Sequence, residues 1–136
     1  MKSILFLCVA NSARSQMAEG IARSLAPRAL KVYSAGSAPS RVNRLAVQVM
    51  DEIGIDITRQ KSKGIDAVPL KSIDLVVTLC VEEVCPVLPA KVERIHWPLP
   101  DPAAAGGRRQ EKLSAFRRVR TELRLRIGSL LSIADS

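Results

Sequence analysis

The feature that most constrains the fold is an apolar run that leads through a short polar loop into an amphipathic stretch near the amino terminus. The apolar run covers residues 4–7, the loop residues 8–15, and the amphipathic stretch residues 17–25. An unbroken apolar run is typical of a buried strand, and apolar residues that recur every four positions are typical of a helix. The sequence therefore predicts a strand, a tight loop and a helix in immediate succession.

The loop carries a thiol at its start and a guanidinium near its end. Cys8 and Arg14 are separated by five residues, and Ser15 follows Arg14. A short loop that enters a helix directs several backbone N–H groups inward, and the positive end of the helix dipole adds to them. Such a loop can hold a tetrahedral oxyanion. The predicted anion-binding residues are Val9, Ala10, Asn11, Ser12, Ala13, Arg14 and Ser15.

Cys8 and Arg14 suit a nucleophilic reaction on such an anion. Arg14 can bind two of the anion's oxygens with its planar guanidinium, and the positive surroundings favour the thiolate of Cys8 over its thiol. An anion held over a thiolate is a site for nucleophilic substitution. The loop has neither a glycine nor a Gly-x-x-x-x-Gly-Lys pattern, which excludes a nucleotide-binding loop. The alternative is a buried cysteine at a strand end and an unrelated surface arginine.

Several motifs, met in order along the chain, resemble one family. The Cys8-x5-Arg14-Ser15 loop, with Asp101-Pro102 far downstream, resembles the low-molecular-weight tyrosine phosphatase fold. The similarity is closer still to the arsenate reductases on that fold, and it extends from Ile4 to the last predicted helix. The segments that carry this closer resemblance are residues 8–20, 33–36 and 74–80.

The rest of the chain alternates between strand and helix patterns. Strands are predicted at residues 3–7, 30–35, 75–79 and 92–96. Helices are predicted at residues 17–25, from the capping residue Asn43 to Gly54, and at 109–133. Gly36 is predicted to turn the chain, residues 55–64 to form a basic connector, and residues 67–70 to form a short helix broken by Pro69. This alternation predicts one α/β domain over residues 1–136, a four-stranded parallel sheet with helices on both faces. Because ligands bind beyond the carboxyl ends of parallel strands, Cys8, Cys80 and Asp101 are expected to form one site.

Cys80 and Cys85 follow the third predicted strand, with four residues between them. They could be two buried thiols, which are common. A zinc site is less well supported, because the spacing is not Cys-x2-Cys and His96 is the only histidine. The resemblance implies a third role, a disulfide relay that takes oxidation away from Cys8. The spacer is shorter than in thioredoxin-coupled members, so the external reductant is either thioredoxin or glutathione with glutaredoxin.

The geometry of a helix makes a prediction about this pair. If residues 80–85 were helical, the two thiols would lie about 7.5 Å apart along the axis and on different sides. A disulfide requires Cα atoms within about 7 Å of each other. We therefore expect this segment to unwind when Cys80 and Cys85 form a disulfide.

Asp101 lies in a Pro-Asp-Pro sequence after the fourth predicted strand. The flanking prolines stiffen the loop, and a carboxylic acid aimed into an anion site can protonate a leaving oxygen. An ordinary loop aspartate is the alternative. In potassium-binding members of the family the resemblance implies a cation beside the loop, held partly by residues matching Asn11, Glu19 and Ser34. Lys63 falls where those members have an aspartate, so we expect no metal site here.

Composition limits the other partners of the protein. The 136 residues carry a formal net charge of +8, but the positive residues are spread along the chain and only 3% of residues are aromatic. A nucleic-acid surface with aromatic stacking is therefore not expected. No apolar run is long enough to span a membrane, and nothing resembles a signal peptide. We expect a cytoplasmic monomer with no tightly bound cofactor.

Three functions are consistent with these motifs. The first is arsenate reduction, with Cys8, Cys80 and Cys85 as successive thiols and Asp101 as the acid. The second is a phosphatase for phosphotyrosine or small phosphate esters, but Ala103 and Ala104 follow Asp101-Pro102 where family phosphatases usually have an aromatic residue. The third is a thiol-based arsenite or metal sensor that binds DNA, and this reading leaves the Cys-x5-Arg loop without a role.

Overall fold

The computed structural model describes residues 1–81 and 92–134 of the chain. Cys85 lies outside these residues, and so does the predicted unwinding of the segment between Cys80 and Cys85. None of the helices in the described stretches combines the length and the apolar character that crossing a membrane requires.

The predicted four-stranded parallel sheet is confirmed. The strands are β1 (Ser3–Cys8), β2 (Lys31–Gly36), β3 (Leu75–Thr78) and β4 (Glu93–His96), in the spatial order β2-β1-β3-β4. All three neighbouring pairs are parallel, and Leu7 of β1 lies beside Ala35 of β2 and Thr78 of β3. All six residues of β1 are buried, as expected for a central strand covered on both faces. The carboxyl ends of these strands therefore lie at one edge of the sheet.

The described residues form three α-helices: α1 (Arg14–Leu25), α2 (Arg44–Asp51) and α3 (Arg109–Ala134). The predicted start of α1 at residue 17 was wrong by three residues. The Met17 N–H already donates to the Ala13 carbonyl at 2.9 Å, so Arg14 and Ser15 form the first helical turn. Two residues predicted to lie in the loop are thus held by a helix.

The second helix begins as predicted, because the Asn43 side chain accepts from the N–H of Leu45 at 2.8 Å and caps the helix. It ends at Asp51, and the chain turns through Gly54, whose φ is +76°. A left-handed φ of this kind favours glycine.

The predicted short helix at residues 67–70 was wrong. Two 3₁₀ turns lie on either side of Pro69 instead, Ile65–Ala67 and Leu70–Ser72. Pro69 has no N–H to donate and biases Val68 toward extended backbone, and Val68 has a ψ of 150°. The break at Pro69 is therefore where the sequence predicted it, but it separates two 3₁₀ turns.

The alternating side chains of β1 divide the core into two clusters. Ile4 and Phe6 share one cluster with residues of all three α-helices. Leu5 and Leu7 share the other with Val68 and other residues near the 3₁₀ turns. In the described residues the three α-helices thus contribute to one cluster, and the turn segment covers the opposite face of β1.

Candidate active site

Three carbonyl groups of the loop between β1 and α1 point outward. The chain that follows β2 supplies the donors for these carbonyls. The bonds are Ala38 N–H to Val9 O (2.9 Å), Ser40 N–H to Ala10 O (3.1 Å) and Asn43 N–H to Ser12 O (3.0 Å). The described peptides are all trans, so a carbonyl that points outward places the next residue's N–H on the opposite side. The N–H groups after these carbonyls, of Ala10, Asn11 and Ala13, therefore face the inside of the loop.

Gly36, at the end of β2, makes this packing possible. A Cβ atom there would lie 2.2 Å from the Val9 carbonyl oxygen and 2.9 Å from the Asn11 nitrogen. The loop thus packs directly on the Gly36 backbone, and any side chain would displace it. The sequence predicted only a turn at Gly36, since close approach between distant segments leaves no local pattern.

Asn11 has a φ of 47°, in the left-handed region that asparagine tolerates better than most residues. Its side chain is buried and fully bonded. The Oδ1 atom accepts from Gln16 Nε2 and from the Lys63 backbone N–H, each at 2.9 Å. The Nδ2 atom donates to Ser15 Oγ at 2.8 Å and to Ser34 Oγ at 3.0 Å. Asn11 therefore joins the loop to α1, β2 and the segment before the first 3₁₀ turn.

Cys8 is the last residue of β1 and is 2% exposed. Its Sγ lies 2.8 Å from the Ser15 hydroxyl, in the first turn of α1. A hydroxyl at this distance can donate to a thiolate and stabilise it. The predicted nucleophile thus lies beside the inward-facing N–H groups and near the start of a helix, as the sequence suggested.

Arg14 is 5% exposed and connects the loop to two other strand ends. Its Nη1 donates to the Leu79 carbonyl at 3.2 Å and to the Leu99 carbonyl at 3.1 Å. Leu79 directly follows β3 and precedes Cys80, which is 1% exposed. The structure therefore brings Cys8, Arg14 and the start of the Cys80 segment to the same edge of the sheet.

Asp101 lies two residues beyond Leu99 and is exposed. In the described part of the chain its Oδ1 accepts from the Ala103 N–H at 3.0 Å, which caps the 3₁₀ turn Pro102–Ala104. The structure thus shows this carboxylate as a turn cap and not hydrogen-bonded to Cys8. Asp101 also lines a cavity of about 530 Å³ with Val81, the residue after Cys80.

The segment from Gln60 to Lys63, predicted only as part of a basic connector, braces the loop. The Ser62 hydroxyl donates to the Ala10 carbonyl at 2.9 Å. Gln60 Nε2 donates to Gln16 Oε1 at 2.8 Å, and Gln16 Nε2 reaches the Lys61 carbonyl at 3.0 Å. Gln16 is buried and needs hydrogen-bond partners, but neither its burial nor its partners can be seen in the sequence.

The Lys63 side chain reaches the residues that the family resemblance associated with a cation. Its Nζ lies 3.3 Å from Glu19 Oε1 and 3.3 Å from Ser34 Oγ. Among the residues that the structure describes, no cluster of three or more His, Cys, Asp or Glu side chains is arranged to hold a metal ion. The Lys63 ammonium group is therefore in hydrogen-bond contact with the side-chain oxygens of Glu19 and Ser34.

Some of the arginines of α3 are engaged within the protein. Arg117 Nη2 lies 2.6 Å from Glu52 Oε2, and Arg120 Nη1 lies 2.7 Å from Glu52 Oε1. The hydrogen bonds from Arg117 and then Arg120 lower the pKa of Glu52 to about 2. These contacts join α3 to the end of α2, so Arg117 and Arg120 have a structural role.

Known proteins are similar to this chain over most of its length. A protein of Halalkalibacterium halodurans described as an arsenate reductase is 51% identical over 128 residues, which cover 93% of this chain and 92% of that protein. A solved structure of an arsenate reductase in the phosphate binding state has a TM-score of 0.81 and 36% identity, covering 97% of this chain and 98% of the other.

A thioredoxin-dependent arsenate reductase of Corynebacterium glutamicum has a TM-score of 0.75 and 26% identity, covering 97% of this chain and 61% of the other. The family described as low molecular weight phosphotyrosine protein phosphatase matches residues 3–135. The resemblance seen in the sequence is therefore confirmed, and the chain belongs to the low molecular weight phosphotyrosine protein phosphatase family.

Proposed function

We propose that the protein reduces arsenate to arsenite, with Cys8 as the nucleophile. The observation that carries this proposal is the Cys8 Sγ, 2.8 Å from the Ser15 hydroxyl and beside a loop whose N–H groups face inward. Arsenate is a tetrahedral oxyanion of the kind that such a loop binds. The similarity to proteins described as arsenate reductases supports the same substrate.

The first step joins arsenic to the enzyme. Arsenate binds to the N–H groups of residues 9–15 and to Arg14, and the Cys8 thiolate attacks arsenic. A sulfur–arsenic bond forms, and one arsenic–oxygen bond breaks as Asp101 protonates a hydroxyl group of the arsenate, which leaves as water. For this step the Asp101 carboxyl must turn from the Ala103 N–H toward the loop.

The later steps transfer the oxidation to a disulfide. The Cys80 thiolate attacks the Cys8 sulfur, the sulfur–arsenic bond breaks, and its electron pair stays on arsenic, which leaves as arsenite. Cys85 then attacks Cys80, which frees Cys8 and leaves a Cys80–Cys85 disulfide. An external thiol reductant, either the dithiol thioredoxin or two molecules of glutathione with glutaredoxin, reduces this disulfide. The reducing cytoplasm supplies such thiols, and the working unit in this proposal is the monomer.

The test is arsenate-dependent oxidation of NADPH, measured once with thioredoxin and its reductase and once with glutathione, glutaredoxin and glutathione reductase. The arm that supports turnover identifies the reductant. Cys8→Ser should abolish turnover in both arms. Cys85→Ser should release one arsenite per enzyme and then stop in the thioredoxin arm, and continued turnover there would contradict the relay.

A phosphatase is the second candidate, because the family as a whole bears that description and the same loop would bind phosphate. Ala103 and Ala104, at the Asp101 loop, are exposed and small, so they offer no ring to hold a phosphotyrosine. We expect p-nitrophenyl phosphate to be hydrolysed slowly and the rate to survive in Cys85→Ser. Phosphatase turnover in the absence of any arsenate reduction would favour this candidate instead.

A further inference from the structure

A cavity of about 420 Å³ lies beside the Cys8 loop and has no part in arsenate reduction as proposed. One of its walls is Ser12, a loop residue whose carbonyl accepts from the Asn43 N–H at 3.0 Å. Another wall is formed by Pro102 and Ala103, which directly follow Asp101. The cavity therefore adjoins both the loop that would hold an oxyanion and the turn that carries the proposed acid.

Three cationic side chains line this cavity. Arg41 precedes α2, Arg44 is the first residue of α2, and Lys112 lies near the start of α3. None of the described residues that line the cavity is acidic. Three like charges around one space repel each other, so an anion bound in that space would stabilise the arrangement.

The three cations differ from the arginines that join α3 to α2. Arg117, for example, is paired with the Glu52 carboxylate at 2.6 Å. In the stretches that the structure describes, no hydrogen bond or ion pair joins the side chain of Arg41, Arg44 or Lys112 to another residue. The positive charge of these three side chains is therefore not offset by a described carboxylate of the protein.

The size and the remaining walls of the cavity indicate what else it could hold. Arsenate does not require this space, because the group that leaves it is water. Sites for small molecules commonly measure about 300–1,000 Å³, so the cavity has room for a larger group than a single oxygen. Val42, Leu45 and Phe116 also line it, which makes part of the wall apolar. A short organic group that carries a negative charge fits these surroundings.

We propose that this cavity is a second anion subsite, which binds the distal acidic group of a small ligand whose first acidic group lies in the Cys8 loop. The ligand class is a phosphate ester or phosphonate with a further phosphate or carboxylate a few bonds away. Arg41 and Arg44 bind the distal group through their guanidinium groups, and Lys112 adds a third positive charge. The inference rests on the oxyanion binding proposed for the Cys8 loop.

Two probes that differ in the distal group test this subsite. Methylphosphonate has one acidic group, and methylenebisphosphonate has a second one on the same carbon. The readout is the concentration of each probe that halves the rate at which iodoacetamide alkylates Cys8, followed by mass spectrometry of the Cys8 peptide. We expect methylenebisphosphonate to protect Cys8 at a concentration about tenfold lower than methylphosphonate. Equal protective concentrations would overturn the proposal.

The combined substitution Arg41→Gln and Arg44→Gln removes two charges from the subsite. The matched control is Arg28→Gln with Lys31→Gln, which removes two charges from exposed side chains near the amino end of β2, at the opposite edge of the sheet. The subsite variant should keep at most about a twofold preference for methylenebisphosphonate, and its protection by methylphosphonate should change by less than about threefold. The control should keep the preference. An equal loss of protection by both probes, or the same loss of preference in the control, would indicate a general charge effect and refute the subsite.

The two probes in the wild-type protein test the subsite even where a variant folds poorly. Arg41 and Arg44 are exposed, so we expect their substitution to leave the fold intact, and urea unfolding checks this. If inorganic phosphate gives the wild type no protection, the proposed function loses its oxyanion site and the subsite is refuted with it. If phosphate protects Cys8 but the two probes are equal, only the subsite is wrong.

Discussion

Replacing Gly36 by alanine should damage the active-site loop more than the fold. The new Cβ would lie 2.2 Å from the Val9 carbonyl oxygen, and contacts under 3.0 Å are essentially never seen. Both nearest groups, at Val9 and Asn11, are backbone and cannot rotate away. The loop must therefore move by about 1 Å, and a misplacement of that size at a reacting centre costs on the order of 100-fold in rate. Overpacking of this kind also costs about 1–3 kcal/mol of stability.

Gly128→Ala is the matched control for Gly36→Ala. Gly128 lies inside α3, and a Cβ there meets nothing within 4 Å. Alanine should stabilise the helix by about 0.5–1 kcal/mol. The same chemical change should therefore lower the free energy of unfolding at Gly36 and raise it at Gly128. Urea unfolding followed by circular dichroism measures both.

The loop itself is assayed by phosphate protection of Cys8 against iodoacetamide. Gly36→Ala should lose most of this protection, and Gly128→Ala should keep it. The reasoning fails if Gly36→Ala unfolds within about 0.5 kcal/mol of the wild type and phosphate still protects Cys8 fully.

Three further changes test other contacts. Ser15→Ala removes the hydroxyl 2.8 Å from the Cys8 sulfur and should slow alkylation about tenfold at neutral pH; an unchanged rate would show that Ser15 is not a donor. The pKa of Glu52 is lowered to about 2, first by Arg117, so its stabilisation is complete above about pH 4.5 and is lost as the pH falls toward 2. Urea unfolding should therefore show a larger loss on acidification for the wild type than for Glu52→Gln, and parallel losses would contradict this. Asn43→Ala should cost about 1 kcal/mol in urea unfolding, Asn43→Asp much less, and equal losses would argue against the cap.

The parts of the structure that follow from local patterns could be predicted from the sequence. The unbroken apolar residues of β1, the four-residue spacing of Met17 and Ile21, and the capping residue Asn43 each act within a few residues of their own position. The sheet follows because alternating strands and helices have few ways to cover a parallel sheet.

The parts that depend on contacts between distant segments could not be predicted. Gly36 was interpreted as a turn, and residues 55–64 as a connector, although both bear on the active-site loop. The start of α1 was placed too late because Arg14 and Ser15 resemble loop residues, and only the Ala13 carbonyl shows that the helix has begun. Polar residues show little periodicity along a sequence. Their roles can therefore be recognised only when the folded structure shows their hydrogen-bond partners.

The anion binding proposed for this loop depends on its neighbours as much as on its own residues. The loop contains no glycine, and a peptide turned with its carbonyl outward needs an outer donor before its N–H can face inward. The Ala10 carbonyl has two such donors, the Ser40 N–H and the Ser62 hydroxyl, and the Ser40 N–H also lies 2.9 Å from that hydroxyl. Removing the Ser62 hydroxyl would take one hydrogen-bond donor away from the Ala10 carbonyl. The peptide that joins Ala10 to Asn11 could then turn, and the Asn11 N–H would be held less firmly in its inward direction. Loop stability and oxyanion affinity should therefore fall together when an outer donor is lost, even though no such residue touches the anion.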